Sequence, residues 1–276
     1  MHSVDANGAA IPALGLGTWT LEGRACTELV AKALEVGYRH IDTAASYGNE
    51  KEVGEGLRAS GVTRDSVFVT TKVWWTDLAP DDLRRSAEAS LKRLRLDSVD
   101  LLLIHWPNPE IPLADTVAAL NRCRADGLAR HIGVSNFPTA LLAQALELSE
   151  APLVANQVES HPYLDQRKVY AAGREAGMAM VAYCPLARGG ALFAEPAVTA
   201  AADRHGKTPG QVVLRWHVQQ EGVVAIPRTS KPERLVENAA IFDFALSGDE
   251  MAAITALRGK GLRICDYGFS PEWDAA

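Results

Sequence analysis

Val67-Phe-Val-Thr-Thr-Lys72, Pro80-Asp-Asp-Leu-Arg-Arg-Ser-Ala-Glu-Ala-Ser-Leu-Lys-Arg-Leu94 and Val99-Asp-Leu-Leu-Leu-Ile-His105 read in turn as strand, helix and strand. In the middle piece Leu83, Ala87, Leu91 and Leu94 recur at three- and four-residue spacing, which puts them on one helix face. Its acids stand at the start and its bases later, the order a helix dipole favours. The third piece is almost continuously apolar, as expected of a parallel strand covered on both faces. Outward from this unit the alternation continues, with strands expected near 14–18, 38–42, 130–134, 153–157, 179–183 and 223–226. About eight such units in a chain of 276 residues predict an α/β fold closed into a (β/α)8 TIM barrel. Asn7-Gly8 predicts the turn of an N-terminal β-hairpin that caps the barrel floor. No linker or repeat interrupts the pattern, so residues 1–276 are read as a single domain.

Bulk properties exclude several classes. A net charge of −6 gives no basic field for a nucleic-acid backbone, so no nucleic-acid partner is expected. It also means that an anionic ligand needs a local cluster of Arg and Lys. No apolar run reaches the length of a membrane helix, and the opening Met1-His2-Ser3-Val4-Asp5 lacks the basic and apolar regions of a signal peptide. Cys26, Cys123, Cys184 and Cys265 are scattered, without a C-x-x-C pair. That argues against a zinc site or a disulfide framework and fits a reducing cytoplasm, each thiol reading as a small buried hydrophobe.

A barrel of this kind carries its chemistry on the loops that follow the strands. Asp42 ends one expected strand and Tyr47 follows in its loop, while Lys72, His105, Ser135-Asn136, Gln157, Tyr183 and Arg228 each close a later one. Asp42, Tyr47, Lys72 and His105 make chemical sense together. Reducing a carbonyl takes hydride at carbon and a proton at the developing alkoxide. Free tyrosine, with a pKa of about 10, is a weak acid near neutral pH. A Lys72 ammonium would lower that value, with Asp42 keeping Lys72 charged and in place. A neutral His105 would donate a hydrogen bond to the carbonyl oxygen. The bland alternative is a structural Asp42–Lys72 ion pair, which is compatible with the catalytic one.

At these residues the chain resembles the aldo-keto reductase superfamily, over essentially its full length. The matching pieces are Gly15-Leu-Gly-Thr-Trp19, Asp42-Thr-Ala-Ala-Ser-Tyr-Gly-Asn-Glu50, Thr71-Lys72, Leu103-Ile-His-Trp-Pro107 and Ile132-Gly-Val-Ser-Asn-Phe137. Asn156-Gln157, Tyr183-Cys-Pro-Leu186, Ile226-Pro-Arg-Thr229 and Arg234-Leu-Val-Glu-Asn238 continue them. Within the superfamily the chain looks most like the bacterial diketogluconic acid and methylglyoxal reductase branch, to which the ending Ser270-Pro-Glu-Trp-Asp274 contributes.

The resemblance implies a soluble, monomeric enzyme that reduces a small carbonyl substrate with NADPH, Tyr47 acting as the acid. It implies that Ser135, Asn136 and Gln157 hydrogen-bond the nicotinamide carboxamide and that Tyr183 stacks on the ring, with Leu186 beside the cofactor. Thr18 and Trp19 would line the mouth, and Trp74 and Trp106 would wall the substrate pocket. Arg228, Arg234 and the Thr229 hydroxyl would grip the 2′-phosphate, and Glu237 and Asn238 would contact adenine. Arg228 and Thr229 replace the family's usual Lys and Ser. The charge survives, so NADPH is favoured over NADH. Cys184 replaces a common Ser, where only backbone contacts are expected. The short chain after the last barrel helix implies a pocket without a long C-terminal flap, with Tyr267, Phe269 and Trp273 near its edge.

Other readings fit less well. Gly15-x-Gly17 lacks the third glycine of a dinucleotide-binding loop, since position 20 is Thr. Gly133-Val-Ser-Asn-Phe137 lacks the closing glycine of a nucleophile elbow. Asp42, His105 and His161 have no metal-ligand spacing, so no metal is expected. Asp100 and the His161-Pro-Tyr163 turn read as structural. The rival from another class is a nicotinamide-binding sensor or accessory subunit with little turnover.

Overall fold

A computed structural model describes residues 1–275. Ser3–Ala6 (β1) and Ala9–Pro12 (β2) form an antiparallel hairpin. Its two-residue turn needs positive φ at both positions, and Asn7 (45°) and Gly8 (89°) supply it. Asn7 then donates its side-chain amide to Leu153 O at 2.8 Å and Ala176 O at 2.9 Å, which pins the hairpin beneath the barrel.

Eight parallel strands follow: Leu16–Gly17 (β3), His40–Asp42 (β4), Phe68–Val73 (β5), Val99–Ile104 (β6), Ala129–Ser135 (β7), Leu153–Glu159 (β8), Ala179–Tyr183 (β9) and Val223–Ala225 (β10). Each pairs with the next in chain order, and a bridge between Leu14 and Ala225 closes the ring. The closing seam is tight. A Cβ on Gly15 would stand 2.8 Å from His40 Nδ1, and one on Gly17 would stand 2.9 Å from Ile226 O. The two glycines of Gly15-x-Gly17 therefore serve barrel closure. β3 and β4 are shorter than their sequence pattern suggests, and His105 lies one residue past β6. Its N–H still bonds Val73 O at 3.0 Å, so the ladder geometry extends to it.

The helices are Gly23–Val36 (α1), Glu50–Ala59 (α2), Pro80–Leu94 (α3), Leu113–Ala125 (α4), Thr139–Leu148 (α5), Arg167–Glu175 (α6), Pro196–His205 (α7), Pro209–Val218 (α8), Pro232–Ala239 (α9) and Gly248–Thr255 (α10). α3 shows why they pack as they do. It starts at Pro80, where the missing N–H costs nothing, and stops at Arg95 in the left-handed region. Between these ends it buries Leu83, Ala87, Leu91 and Leu94, the stripe visible in the sequence. Truncating Leu83 to alanine would cost about 2–5 kcal/mol.

Inside the barrel the side chains form layers. His40 on β4 meets Thr70 on β5 at 3.1 Å, and one step toward the C-terminal rim Asp42 meets Lys72 at 2.6 Å. The same alternation that fills the core thus delivers a charged pair to the mouth. After α10 the chain returns across that mouth. Asp274 anchors it by accepting Thr139 N–H at 3.0 Å, at the start of α5.

Candidate active site

The loop after β4 is held by its own turn and by hydrogen bonds to its neighbour. Ala45–Tyr47 forms one 3-10 turn that ends at Gly48 (φ 70°). Asn49, itself buried, holds the loop to its neighbour. It donates to Thr18 O at 2.7 Å and Leu21 O at 2.9 Å and accepts from Thr43 Oγ1 at 3.0 Å. Tyr47 is thereby fixed over the barrel mouth.

Lys72 is fully buried. Its ammonium donates to Asp42 Oδ1 at 2.6 Å, Thr43 O at 2.8 Å and Tyr47 Oη at 3.2 Å, which satisfies its three hydrogens. Burial disfavours the charge, but the Asp42 carboxylate and the Tyr47 oxygen outweigh it, and the Lys72 pKa lies above its ordinary value. For Tyr47 the balance runs the other way and corrects the sequence-based expectation. Burial raises its pKa, Lys72 pulls it down and Asp42 pushes it up again, so the phenol stays above its ordinary value. His105 touches Tyr47 and Trp74 edge-on, with ring centroids 5.6 and 5.1 Å apart. Burial, followed by the Lys72 charge, holds it well below the usual histidine range, so the ring is neutral. Its Nδ1 lies 3.3 Å from Ser46 Oγ. With the hydroxyl donating, the imidazole hydrogen sits on Nε2. The arrangement presents two neutral donors, a phenol and an imidazole, above a buried ammonium, and it can hold and protonate a carbonyl oxygen.

An amide network continues around the rim. Gln157 donates to Asp42 Oδ2 at 2.7 Å, and Ser135 Oγ donates to Gln157 O at 2.8 Å. Asn136 sits at φ 63°, a left-handed conformation that Asn tolerates. Its Nδ2 donates to His105 O at 3.0 Å while Oδ1 accepts the Tyr183 hydroxyl at 2.7 Å. Both ends of the Asn136 amide are therefore committed, and they fix the Tyr183 ring.

These side chains surround a cavity of about 530 Å³. Tyr47, Trp74, His105 and Trp106 line one part and Trp19, Asn136, Gln157, Tyr183 and Arg228 another. Not every expected residue reaches it. Thr18 is fully buried, with its hydroxyl on Asp42 O at 3.0 Å, and Ser135 is fully buried as well. Leu186 is half-buried beside the core. Arg228 reaches from the rim past β10 toward Trp19 O at 3.3 Å. Arg234, Glu237 and Asn238 lie on α9. Arg228 and Arg234 are exposed and form no ion pair among the described residues. Thr229 Oγ1 accepts the Lys231 N–H at 3.0 Å as the chain enters α9, and the Glu237 carboxylate accepts the Thr208 hydroxyl at 2.6 Å.

Several contributors escape a sequence reading. Ser46 orients His105, and its only signal is its place beside Tyr47. Tyr267 and Phe269, by contrast, are expected near the pocket edge and do line the cavity, and Phe269 packs on Trp74, Trp75 and Trp106. Trp273 packs edge-on against Trp106, and the Arg263 guanidinium lies 3.7 Å from the Trp273 ring centre. The short C-terminal segment therefore does wall the mouth. Its anchor is Glu159, a fully buried carboxylate that accepts Ile264 N–H at 2.7 Å, Cys265 N–H at 2.6 Å and His161 Nε2 at 2.9 Å. Cys184 also merits more weight than the sequence gives it, because it lines the cavity together with Cys265.

Known proteins resemble this chain over nearly its whole length. Residues 13–258 match the model of the aldo/keto reductase family. Methylglyoxal reductase DkgB of Yersinia pestis is 40% identical over 96% of this chain and 100% of its own. A crystal structure assigned as a 2,5-diketo-D-gluconic acid reductase B superposes with a TM-score of 0.96 at 49% identity, covering 100% of this chain and 98% of that one. A Bombyx mori aldo-keto reductase in complex with NADP superposes with a TM-score of 0.90 at 34% identity, covering 98% and 97%.

Proposed function

This chain belongs to the aldo/keto reductase family and is an oxidoreductase, and from that premise we propose that it reduces small aldehydes and ketones with NADPH, Tyr47 donating the proton. The observation that carries the reading is the contact of Lys72 Nζ with both Tyr47 Oη and Asp42 Oδ1 beneath an open cavity. Bound NADPH supplies the hydride.

The residues at hand fit that cofactor. Arg228 and Arg234 are exposed cations without an ion-pair partner among the described residues, beside the start of α9. Guanidinium groups suit a planar grip on a 2′-phosphate, and a helix N-terminus favours negative charge. Thr229, Glu237 and Asn238 border that end. At the other end the Tyr183 ring, fixed through Asn136, offers a face on which nicotinamide can stack, and Gln157 and Ser135 lie beside it.

The protein's part in the chemistry follows. His105 Nε2–H and the Tyr47 hydroxyl hold the carbonyl oxygen. As negative charge develops there, Tyr47 gives up its proton, and the Lys72 ammonium stabilises the phenolate left behind. Asp42 keeps Lys72 charged throughout. With its pKa above the ordinary value, the Tyr47 phenol is protonated at neutral pH and has a proton to give. Trp19, Trp74, Trp106 and Phe269 exclude water around the reacting carbon. Similarity to reductases named for methylglyoxal and for 2,5-diketo-D-gluconic acid supports small dicarbonyls and sugar-acid diketones as the substrate class. The barrel works as one domain.

The test is NADPH absorbance loss with purified protein and a panel of small aldehydes, diketones and keto-sugars, repeated with NADH. Substrate-dependent turnover that favours NADPH is expected. Slow oxidation independent of substrate would return the sensor reading.

A further inference from the structure

Two thiols meet at the cavity and have no part in the chemistry above. Cys184 follows β9 directly, in a left-handed conformation (φ 48°), and lines the cavity half-buried. Cys265 comes from the C-terminal segment, 7% exposed, and lines the same cavity. Its position is built. The buried Glu159 carboxylate holds its backbone N–H at 2.6 Å and that of Ile264 at 2.7 Å, and His161 steadies Glu159 in turn.

Their environment separates them from the other cysteines. The Cys184 and Cys265 side chains adjoin at the wall of one cavity, and the Arg188 side chain reaches Cys184. These contacts hold the Cys184 thiol below its ordinary range, although burial and the Glu159 charge oppose them. Cys265 is pushed upward, first by its bond to Cys184 and then by burial. Cys184 is therefore the easier of the two to ionise and Cys265 the harder, the order expected of an attacking and a resolving cysteine. Cys26 and Cys123 are buried away from the cavity, and burial raises them to about 12 and about 11.

We propose that Cys184 and Cys265 form a reversible disulfide when a peroxide enters the cavity, stapling the C-terminal wall to the end of β9. The Cys184 thiolate attacks one peroxide oxygen and the O–O bond breaks. Cys184 becomes a sulfenic acid, and the leaving oxygen departs as water after protonation. Cys265 then attacks the sulfenic sulfur, the S–O bond breaks, and a second water leaves. Two thiols are oxidised by two electrons and one peroxide is reduced to two waters. Because Tyr267 and Phe269 follow Cys265 in the segment, the staple fixes the aromatic wall against the pocket and slows substrate entry. The proposal does not depend on which substrate the enzyme reduces.

The experiment treats the purified protein with hydrogen peroxide, followed by intact mass and non-reducing peptide mapping. The expected result is a loss of mass equal to two hydrogens and one cross-linked species joining the peptides of Cys184 and Cys265. Dithiothreitol should reverse it, and neither Cys184→Ser nor Cys265→Ser should form it. In Cys265→Ser, Cys184 should instead advance to the sulfinic acid, since nothing resolves the first product. Turnover of the treated wild-type protein should fall several-fold and return with dithiothreitol. Overoxidised Cys184 in the wild type without a cross-link, or a cross-link through Cys26 or Cys123, would overturn the pairing. A complete cross-link that left turnover unchanged would overturn its effect on the wall.

Discussion

Gln157 reaches from β8 to β4 and donates its side-chain amide to Asp42 Oδ2 at 2.7 Å. Lys72 holds the other carboxylate oxygen, so both are occupied inside a buried site. The pair is in good order, but neither charge could remain without the other. Asp42→Asn would leave the Lys72 ammonium buried beside a neutral amide, and removing one partner of a buried pair costs about 3–5 kcal/mol. Urea denaturation at neutral pH should show a loss of that size. A change below about 1 kcal/mol, the size of an exposed pair, would mean that the buried charge is compensated elsewhere.

Arg228→Ala combined with Arg234→Ala should weaken NADPH far more than NADH. Charge-assisted hydrogen bonds contribute about 1.5–3 kcal/mol each, so losing both should weaken NADPH by two to four orders of magnitude, to be read by fluorescence titration. Equal losses for the two cofactors would remove the phosphate assignment.

Three buried histidines set a pH limit on stability. Burial lowers the pKa of His40 and of His105, and that of His217 falls to about 3. In the unfolded chain these groups take up protons near 6.5, whereas the folded protein resists doing so. Their contribution is therefore complete above about 6.5 and declines as pH falls, by up to about 1.4 kcal/mol per pH unit for each histidine. For His217 the decline continues down to about 3. Denaturation midpoints measured from pH 7.5 to 5 should fall steadily, and His217→Gln should flatten the slope. A midpoint independent of pH over that range would contradict the sign.

Glu159→Ala should release the C-terminal segment, because two backbone N–H groups and His161 lose their common acceptor. Limited proteolysis should cut beyond Leu262 several-fold faster than in the wild type, and KM should rise more than kcat falls. An unchanged digestion pattern would show that the other contacts of the segment, among them Asp274 with Thr139, hold it without Glu159.

The fold was legible because its signals are local. The stripe of α3, the apolar run of β6 and the Asn7-Gly8 turn each report on their own element, and eight repeats of the pattern leave few ways to close. The grouping of Asp42, Tyr47, Lys72 and His105 was legible because strand ends share one rim. What stayed hidden depends on distance along the chain. Glu159 looks like any acid after a strand until Cys265, far downstream, is laid against it. The acidity of Tyr47 was misjudged for the same reason: the sequence displays Lys72 but not the burial that outweighs it. Cys184 read as a passive replacement for Ser because the thiol facing it comes from the C-terminal segment.

Tyr47→Phe is the most direct test of the central claim, since it removes one oxygen and leaves the ring, Lys72 and Asp42 in place. Positioned acid catalysis is worth about two to four orders of magnitude, so single-turnover reduction with saturating NADPH should slow by that factor. NADPH affinity should be unchanged. A rate within a few-fold of the wild type would mean that the proton comes from elsewhere and that the proposed role of Tyr47 is wrong.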